Sequence, residues 1–178
     1  MKGRPVIAIV PLGHYIYFRQ FEGLYEELCK KADAFRAYFD DSADVFVTEY
    51  VDDVDKAFSV VRDVKRRDVD GVFLLLTTYL PSSLCAPFAN YIDAPQILVG
   101  LQPLDHLDYG RCTTYMQLVN DDICAMPEHE SFIFWYAKEQ GWDKDEGLDF
   151  QIHFFQTGMD QLEALPAKQW VVGGTGTV

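Results

Sequence analysis

Apolar residues run almost without polar interruption through three short stretches of the chain, at residues 5–12, 69–76 and 94–103. Successive side chains of a strand point to opposite faces, so a strand with one exposed face alternates apolar and polar residues. Continuous apolar runs of this length are typical of strands that are covered on both faces. Residues 44–50 are half polar and predict a fourth, outer strand. We therefore expect a parallel sheet with a buried centre.

Between these strands, apolar residues recur every three or four positions, which is the spacing of a helix that buries one face. Residues 21–39 follow this spacing and predict one long helix that covers a face of the sheet. Residues 54–66 predict a second helix. Asp52 or Asp53 is expected to cap this second helix, because either carboxylate can accept hydrogen bonds from its free backbone N–H groups.

A third, short helix is expected to begin at Ser82 or Ser83 and to lead into the apolar run at 94–103. Strands and helices thus alternate, with short connections, as far as residue 103. Such alternation is typical of right-handed crossovers between parallel strands. The sequence therefore predicts the α/β class, as a three-layer α/β/α sandwich with a mainly parallel, flavodoxin-like sheet.

Beyond residue 105 the hydrophobic pattern is weaker. It predicts two helices, the second closed by Gly141, and two possible strands; these four elements lie at residues 113–125, 131–141, 150–155 and 170–172. We assign residues 1–141 to a flavodoxin-like N-terminal domain. Residues 142–178 are interpreted as the start of a following domain or as a truncated tail.

The formal net charge of −13 narrows the range of partners. Nucleic acids and anionic membranes are bound through clusters of Lys and Arg. The short basic run Lys65-Arg66-Arg67 falls at the predicted end of a helix, where positive charge complements the helix dipole. We therefore expect neither nucleic acid nor membrane as a partner, which leaves small neutral or cationic ligands.

Cysteine usage and the first residues of the chain bear on the compartment. The four cysteines, Cys29, Cys85, Cys112 and Cys124, lack CxxC spacing, which favours reduced and packed thiols over a disulfide framework or a zinc site. No basic segment followed by an apolar one opens the chain, and the longest apolar runs are strand-sized. These features predict a cytoplasmic protein.

Polar and aromatic residues follow three of the predicted strands: Gly13-His14-Tyr15, Thr77-Thr78-Tyr79 and Gln102. The carboxyl ends of parallel strands meet at one edge of a sheet, where ligands gather. Asn120 and the pair His129-Glu130 add further amide, imidazole and carboxylate groups. Such groups, together with aromatic faces, bind the hydroxyls of sugars or polyols. The alternative is ordinary loop polarity and helix capping.

Familiar catalytic motifs are missing from this set. His129 and Glu130 are adjacent, so on a helix they point in different directions and form no metal site unaided. No HExxH and no GxxxxGK[ST] occurs, and the first strand ends in Pro11-Leu12-Gly13 instead of GxGxxG. The sequence predicts no catalytic residue and no metal ligand in this chain.

Several motifs nevertheless occur in a recognisable order. They are PLGHYIYFRQFEGL at 11–24, DVDG at 68–71, TYLPSS at 78–83, Gln102-Pro103, and an Asn, a His and a Glu within residues 120–132. Together they resemble the amino-terminal domain of the L-arabinose and L-fucose isomerase-like family. The resemblance spans about residues 5–135, and no single motif is diagnostic.

The resemblance implies a metal-dependent aldose–ketose isomerase. In such enzymes a divalent ion, usually manganese, polarises the sugar C1 and C2 oxygens while carboxylates move a proton through an ene-diol. The family's metal-binding Glu and His residues belong to later domains, which implies Mn²⁺ in the full-length family enzyme but no cofactor in this chain. It also implies a homo-oligomer in which this domain lends loops to the sugar pocket of a neighbouring subunit.

We therefore expect the N-terminal domain of a sugar isomerase, which contributes to the substrate pocket and to oligomer assembly without catalysing the reaction alone. The alternative is a stand-alone sugar- or polyol-binding module, or an assembly module. Gly13 stands where arabinose isomerases carry a polar amide, so the preferred sugar stays open. The predicted substrate contacts combine the resemblance with the strand-end groups: His14, Tyr17, Gln20, Thr78, Tyr79, Gln102, Asn120, His129 and Glu130.

Overall fold

The computed structural model describes residues 3–39, 42–120, 122–153, 164 and 166. Contacts within the chain divide it into two compact units, Met1–Ala125 and Met126–Val178. The first unit holds the sheet and all the strand ends discussed below. The domain boundary predicted after residue 141 stays a prediction.

The first unit is built on a four-stranded sheet in which every pair of neighbouring strands is parallel. The order of the strands is β2-β1-β3-β4, which is the flavodoxin-like order. This confirms the predicted α/β class with a parallel sheet. The strands are β1 Val6–Leu12, β2 Asp44–Val47, β3 Gly71–Leu76 and β4 Gln96–Gly100.

Helices connect the strands and continue after the last one. A short 3-10 helix at Ser82–Leu84 precedes the fourth of them and matches the predicted start at Ser82. The α-helices are α1 Tyr15–Gln20, α2 Leu24–Arg36, α3 Val54–Arg66, α4 Ala86–Tyr91, α5 Thr114–Asn120, α6 Asp122–Gln140 and α7 Trp142–Asp145.

The order of the strands fixes which helix covers which face. The chain moves from β1 to β2 in one direction and from β2 across to β3 in the other, so right-handed crossovers place α2 and α3 on opposite faces. On the α2 face, Ala32 packs against the fully buried Ile9 and Leu75. The helix α4 contacts α3 and lies on the other face with it. The sheet is thus the middle layer of three.

The predicted single helix over 21–39 is wrong at its start. The chain forms α1, breaks at residues 21–23 and begins again as α2 at Leu24. Gly23 has φ +78°, a left-handed conformation that glycine adopts without steric cost. The break turns Tyr17 and Phe18 of α1 onto the cluster formed by Leu24 and Leu28 of α2.

The strand predicted as buried at 94–103 is instead an edge strand of the described sheet. β4 pairs only with β3, and Ile97 on it is 53% exposed. Its apolar sequence gave the expectation of two covered faces. A short apolar run does not distinguish a central strand from an edge strand, because that depends on which segment pairs beside it.

The C-terminal elements also differ from the prediction. The helix predicted over 113–125 ends at Asn120, and α6 then runs from Asp122 to Gln140 without the predicted break. Its end is as expected, since Gly141 follows with φ +77°. Residues 150–153 form no strand, and the remainder of that predicted strand, like the one at 170–172, lies outside the described residues.

The cap of α3 gives a direct test of the local structure. The Asp53 carboxylate accepts a hydrogen bond of 2.8 Å from the backbone N of Lys56, as an N-cap residue does. We expect Asp53→Ala to lower the free energy of unfolding by about 1 kcal/mol, because an orphan N–H loses its acceptor. Asp53→Asn keeps an acceptor oxygen and should unfold close to the wild type in urea. Equal losses in the two variants would show that the cap does not stabilise the helix.

Candidate functional site

The carboxyl ends of three strands are tied together by backbone hydrogen bonds. Gly13, directly after β1, donates from its N–H to the carbonyl oxygen of Val51 at 3.0 Å, and Val51 forms a parallel bridge with Leu12. Thr77, directly after β3, donates from its N–H to the carbonyl of Leu12, also at 3.0 Å. The segments that follow β1, β2 and β3 therefore meet at one edge. The sequence predicts such a meeting for the segments after β1 and β3 together with Gln102 after β4, and for Gln102 this stays a prediction.

A buried pair of hydroxyls lies directly beneath this edge. The Thr77 hydroxyl donates to the carbonyl of Leu12 at 2.8 Å and is also in hydrogen-bond contact with the Tyr50 hydroxyl. Because the single proton of the Thr77 hydroxyl goes to Leu12, the Tyr50 hydroxyl is the donor to Thr77. Burial raises the pKa of Tyr50, whose side chain is 5% exposed, so the phenol stays neutral. We call Tyr50 and Thr77 the hydroxyl pair.

Gly13 passes so close to the hydroxyl pair that no side chain fits. A Cβ atom at this position would overlap the Tyr50 hydroxyl and come within 3.0 Å of the ring carbon that bears it. The glycine is thus required by the close approach of the Tyr50 ring to the backbone. This is a structural reason for a glycine at position 13.

A lysine from the covering helix completes the bonding of Thr77. Lys31 on α2 is 8% exposed, and its Nζ donates to the carbonyl oxygen of Thr77 at 2.6 Å. A hydrogen bond from an ionised group is stronger than a neutral one, and a buried ammonium without partners is costly. Lys31 therefore fastens α2 to the carboxyl end of β3.

An ion pair lies on the segment after β2. Lys56 donates from Nζ to Asp52 at 2.6 Å, and the Asp52 side chain is only 10% exposed. The hydrogen bond to Asp52 raises the pKa of Lys56 above its usual value. The two charges thus neutralise each other at the edge of the sheet.

His14 is the titratable side chain of the β1–α1 turn. It is half-buried, and the Tyr15 and Tyr17 rings meet its imidazole edge-on at centroid distances of 5.2 and 5.7 Å. Burial lowers the pKa of His14, and the nearby Asp52 carboxylate opposes this shift in part. His14 is consequently a neutral imidazole near pH 7.

Other predicted contacts of the first unit are spread over this edge and beyond it. Thr78 is buried and donates from its hydroxyl to the carbonyl of Leu118 at 2.7 Å, so this hydroxyl serves the fold. Asn120 is 3% exposed and accepts a hydrogen bond from the Leu104 N–H at 2.9 Å. Its Nδ2 has no hydrogen-bond partner within the part of the chain that the structure describes. These two residues hold α5 and the loop after β4.

The remaining predicted contacts differ in exposure. Gln20 is exposed and donates from its side chain to its own helix, at the Ile16 carbonyl, 3.3 Å away. Tyr79 is half-buried and Gln102 is exposed. His129 belongs to the second unit and is 1% exposed, whereas the side chain of Glu130 lies outside the described residues. A grouping of His129 and Glu130 with the strand ends stays a prediction.

Sequence reasoning did not select Tyr50, Lys31, Asp52 or Lys56 for this edge. Tyr50 ends the half-polar stretch that predicts the outer strand, Asp52 is one of the two predicted helix caps, and both lysines lie within helical patterns. Their contacts join residues that are far apart in the chain, such as Tyr50 and Thr77, and hydrophobic periodicity carries no such information. The feature of the sequence that could have indicated Tyr50 and Asp52 is their position at the carboxyl end of the outer strand.

The described residues do not form a metal centre. No group of three or more His, Cys, Asp or Glu side chains that could hold a metal ion occurs in residues 3–39, 42–120, 122–153, 164 and 166. The resemblance places the manganese ligands of the family enzymes in later domains, so manganese in the full-length enzyme stays a prediction. Cys29 and Cys112 are free thiols, and burial raises the pKa of Cys29, which makes it a poor nucleophile.

A shallow groove lies at the opposite edge of the sheet, away from the strand ends. Its volume is about 660 Å³ and its polar side chains are those of Arg36 and Asp44. Its other lining residues are Val6, Ala37, Phe39, Ala43, Val45 and Phe46, and none of the predicted contact residues is among them. We therefore place the candidate site at the carboxyl ends of the strands.

Comparison with known proteins adds no relative. No protein-family model and no curated protein matches the chain. Among the described residues, no helix combines the length and the apolar character that crossing a bilayer requires.

The approach of Gly13 to Tyr50 can be tested by a double-mutant cycle. We expect Gly13→Ala to lower the free energy of unfolding by about 1–3 kcal/mol, because the added methyl group overpacks the site. Tyr50→Phe removes the overlapping oxygen, so the cost of Gly13→Ala should be smaller in that background. Urea unfolding measures both. Gly3→Ala, where a Cβ meets no atom within 4 Å, is the matched control. If the losses of unfolding free energy caused by Gly13→Ala and Tyr50→Phe simply add in the double variant, this result would contradict the close approach of Gly13 to the Tyr50 hydroxyl.

The ion pair gives a second test. Lys56→Met leaves the buried Asp52 carboxylate without its partner, and we expect a loss of about 1–2 kcal/mol in the free energy of unfolding at pH 7, since Lys56 itself is partly exposed. The wild type should lose this contribution as the pH rises through the raised pKa of Lys56, because the pair requires the ammonium. Lys30→Met is the control, since Lys30 pairs with Glu27 in the open and should matter little. If Lys56→Met and Lys30→Met lower the free energy of unfolding by similar amounts, the pairing of Lys56 with Asp52 does not stabilise the fold more than an exposed ion pair does.

Proposed function

We propose that this chain supplies the sugar-binding N-terminal domain of an aldose–ketose isomerase of the arabinose and fucose type. In this proposal the domain forms one wall of the substrate pocket and takes part in oligomer assembly, while metal and proton transfer belong to other parts of the enzyme. The observation that supports it is the meeting of the three strand ends below His14 and the Asp52–Lys56 pair. The remaining support is the sequence resemblance.

The chemistry of this edge suits a neutral, polyhydroxylated ligand. A sugar offers hydroxyls that both donate and accept hydrogen bonds, together with apolar C–H faces. His14 presents a neutral imidazole, and the exposed Tyr15 ring beside it offers an aromatic face. The paired Asp52 and Lys56 contribute an acceptor and a donor without a net charge. Such a set binds hydroxyls without attracting ions.

The same edge offers little for proton transfer. The Tyr50 and Thr77 hydroxyls are buried and committed to the fold, and the Asp52 carboxylate is held by Lys56. An isomerase needs an acid and a base that exchange protons with the substrate carbons. We therefore expect the isolated chain to bind a sugar without isomerising it.

A stand-alone sugar- or polyol-binding module, or an assembly module, is the second candidate. It is supported by the same neutral donors and acceptors at the strand ends, and the lack of a metal-ligating group among the described residues is compatible with both candidates. Both candidates place the ligand at the same strand ends, so they differ in whether other domains add catalysis.

Calorimetric titration with pentoses and 6-deoxyhexoses, with and without manganese, tests these alternatives. We expect weak binding that does not need the metal and that His14→Ala reduces at least tenfold. His153→Ala changes an exposed histidine of the second unit and should leave binding unchanged. Robust manganese-dependent turnover by the isolated chain would contradict a domain without catalysis. If no sugar binds in these titrations, sugar binding at this edge is ruled out and assembly is the remaining role.

A further inference from the structure

The two nitrogens of the His14 imidazole are in different surroundings. Nδ1 is buried, and it has no hydrogen-bond partner among the residues that the structure describes. Nε2 is not sequestered in this way, and the side chain as a whole is half-buried. The backbone carbonyl of His14 accepts a hydrogen bond from the Tyr17 N–H at 3.1 Å, while its side chain takes no part in capping α1.

This asymmetry decides where the proton of a neutral imidazole lies. A neutral imidazole has one N–H donor and one nitrogen acceptor, and the environment selects between the two tautomers. Nδ1 lacks a partner in either tautomer, as a donor if it carries the proton and as an acceptor if it does not. Buried N–H groups without an acceptor are the rarer of these two defects in proteins. A proton on Nε2 can meet water or a ligand. The tautomer with the proton on Nε2 is therefore favoured.

The groups around His14 do not favour the other tautomer, in which Nδ1 carries the proton. The rings of Tyr15 and Tyr17 in α1 make T-shaped contacts with the imidazole. On the segment after β2, the Asp52 carboxylate attracts positive charge at His14, but Lys56 donates to that carboxylate at 2.6 Å and offsets its charge. Arg19 of α1 lies over the Tyr15 ring, 5.3 Å from its centroid. No acceptor for an Nδ1 proton comes from these elements.

We propose that His14 is held as the neutral tautomer protonated on Nε2 and acts as a fixed hydrogen-bond donor to an oxygen of the ligand, not as an acid or a base. The identity of that oxygen as a sugar hydroxyl or carbonyl rests on the proposed function. The tautomer itself does not, because it follows from the surroundings of Nδ1 in the free protein. The site would thus select ligands that present an acceptor oxygen to this donor.

Nuclear magnetic resonance of the ¹⁵N-labelled free protein tests the tautomer without any ligand. Long-range proton–nitrogen correlation distinguishes a protonated ring nitrogen from an unprotonated one, and loss of one signal set in His14→Gln assigns the residue. We expect His14 to have the proton on Nε2 and to stay neutral to a lower pH than an ordinary histidine, because burial lowers its pKa. A proton on Nδ1, or a positively charged ring at pH 7, would overturn the proposal.

Paired substitutions test the role of the donor. The amide nitrogen of Gln can replace the Nε2–H group, whereas the shorter Asn places its amide nearer to Nδ1. With the sugar that binds best to the wild type, His14→Gln should keep binding within about threefold, and His14→Asn should lose at least tenfold. Equal loss in both variants, with the tautomer confirmed, would overturn the donor role. If no sugar binds the wild type while the tautomer is as expected, the proposed function fails and the tautomer assignment stands.

The pH dependence separates a donor from a general acid or base. A lowered pKa means that the folded protein takes up the proton only at lower pH than the unfolded chain, so His14 destabilises the fold as the pH falls below about 6.5. Sugar binding should be constant between pH 7 and pH 8 and change only where His14 becomes charged. Binding that rises or falls across pH 7–8 in the wild type but not in His14→Gln would contradict a fixed neutral donor.

Discussion

The hydrogen bonds of Thr77 are the interaction on which the rest of the first unit depends. Its N–H and its hydroxyl both donate to Leu12, its hydroxyl accepts from Tyr50, and its carbonyl accepts from Lys31. One fully buried residue thereby joins β1, β3, the segment after β2 and the covering helix α2. A buried polar group costs free energy unless it is hydrogen-bonded, so loss of any one partner exposes the others to that cost.

This arrangement divides the polar residues of the strand ends into two layers. The hydroxyls of Tyr50, Thr77 and Thr78 are turned inward and bond only to the protein. His14 and the Asp52–Lys56 pair lie above them on loops that the buried layer holds in place. A rigid lower layer limits the motion of the loops above it, and a ligand then pays less to order them. The predicted contact at Thr78 is better interpreted as support for the site than as part of its surface.

Local patterns in the sequence predicted local structure, and contacts between distant residues lay beyond them. The apolar runs gave β1 and β3, and the Asp52-Asp53 pair gave the start of α3 at the residue after Asp53. The break at Gly23 was missed because apolar residues continue at helical spacing on both sides of it. The contact of Tyr50 with Thr77 joins positions 27 residues apart, and the exposure of Ile97 depends on what packs against its face of β4. Both features depend on tertiary contacts.

The charge of the strand ends differs from that of the chain as a whole. The chain carries a formal charge of −13, which by itself attracts cations to its surface. At the strand ends, however, Asp52 is paired with Lys56, and burial keeps His14 neutral. An ion would have to displace a paired charge or protonate a half-buried ring there, whereas a neutral hydroxyl needs only a donor and an acceptor. In the proposed function, the pairing of Asp52 with Lys56 and the neutral imidazole of His14 favour a neutral polyhydroxylated ligand over a metal ion or a phosphate.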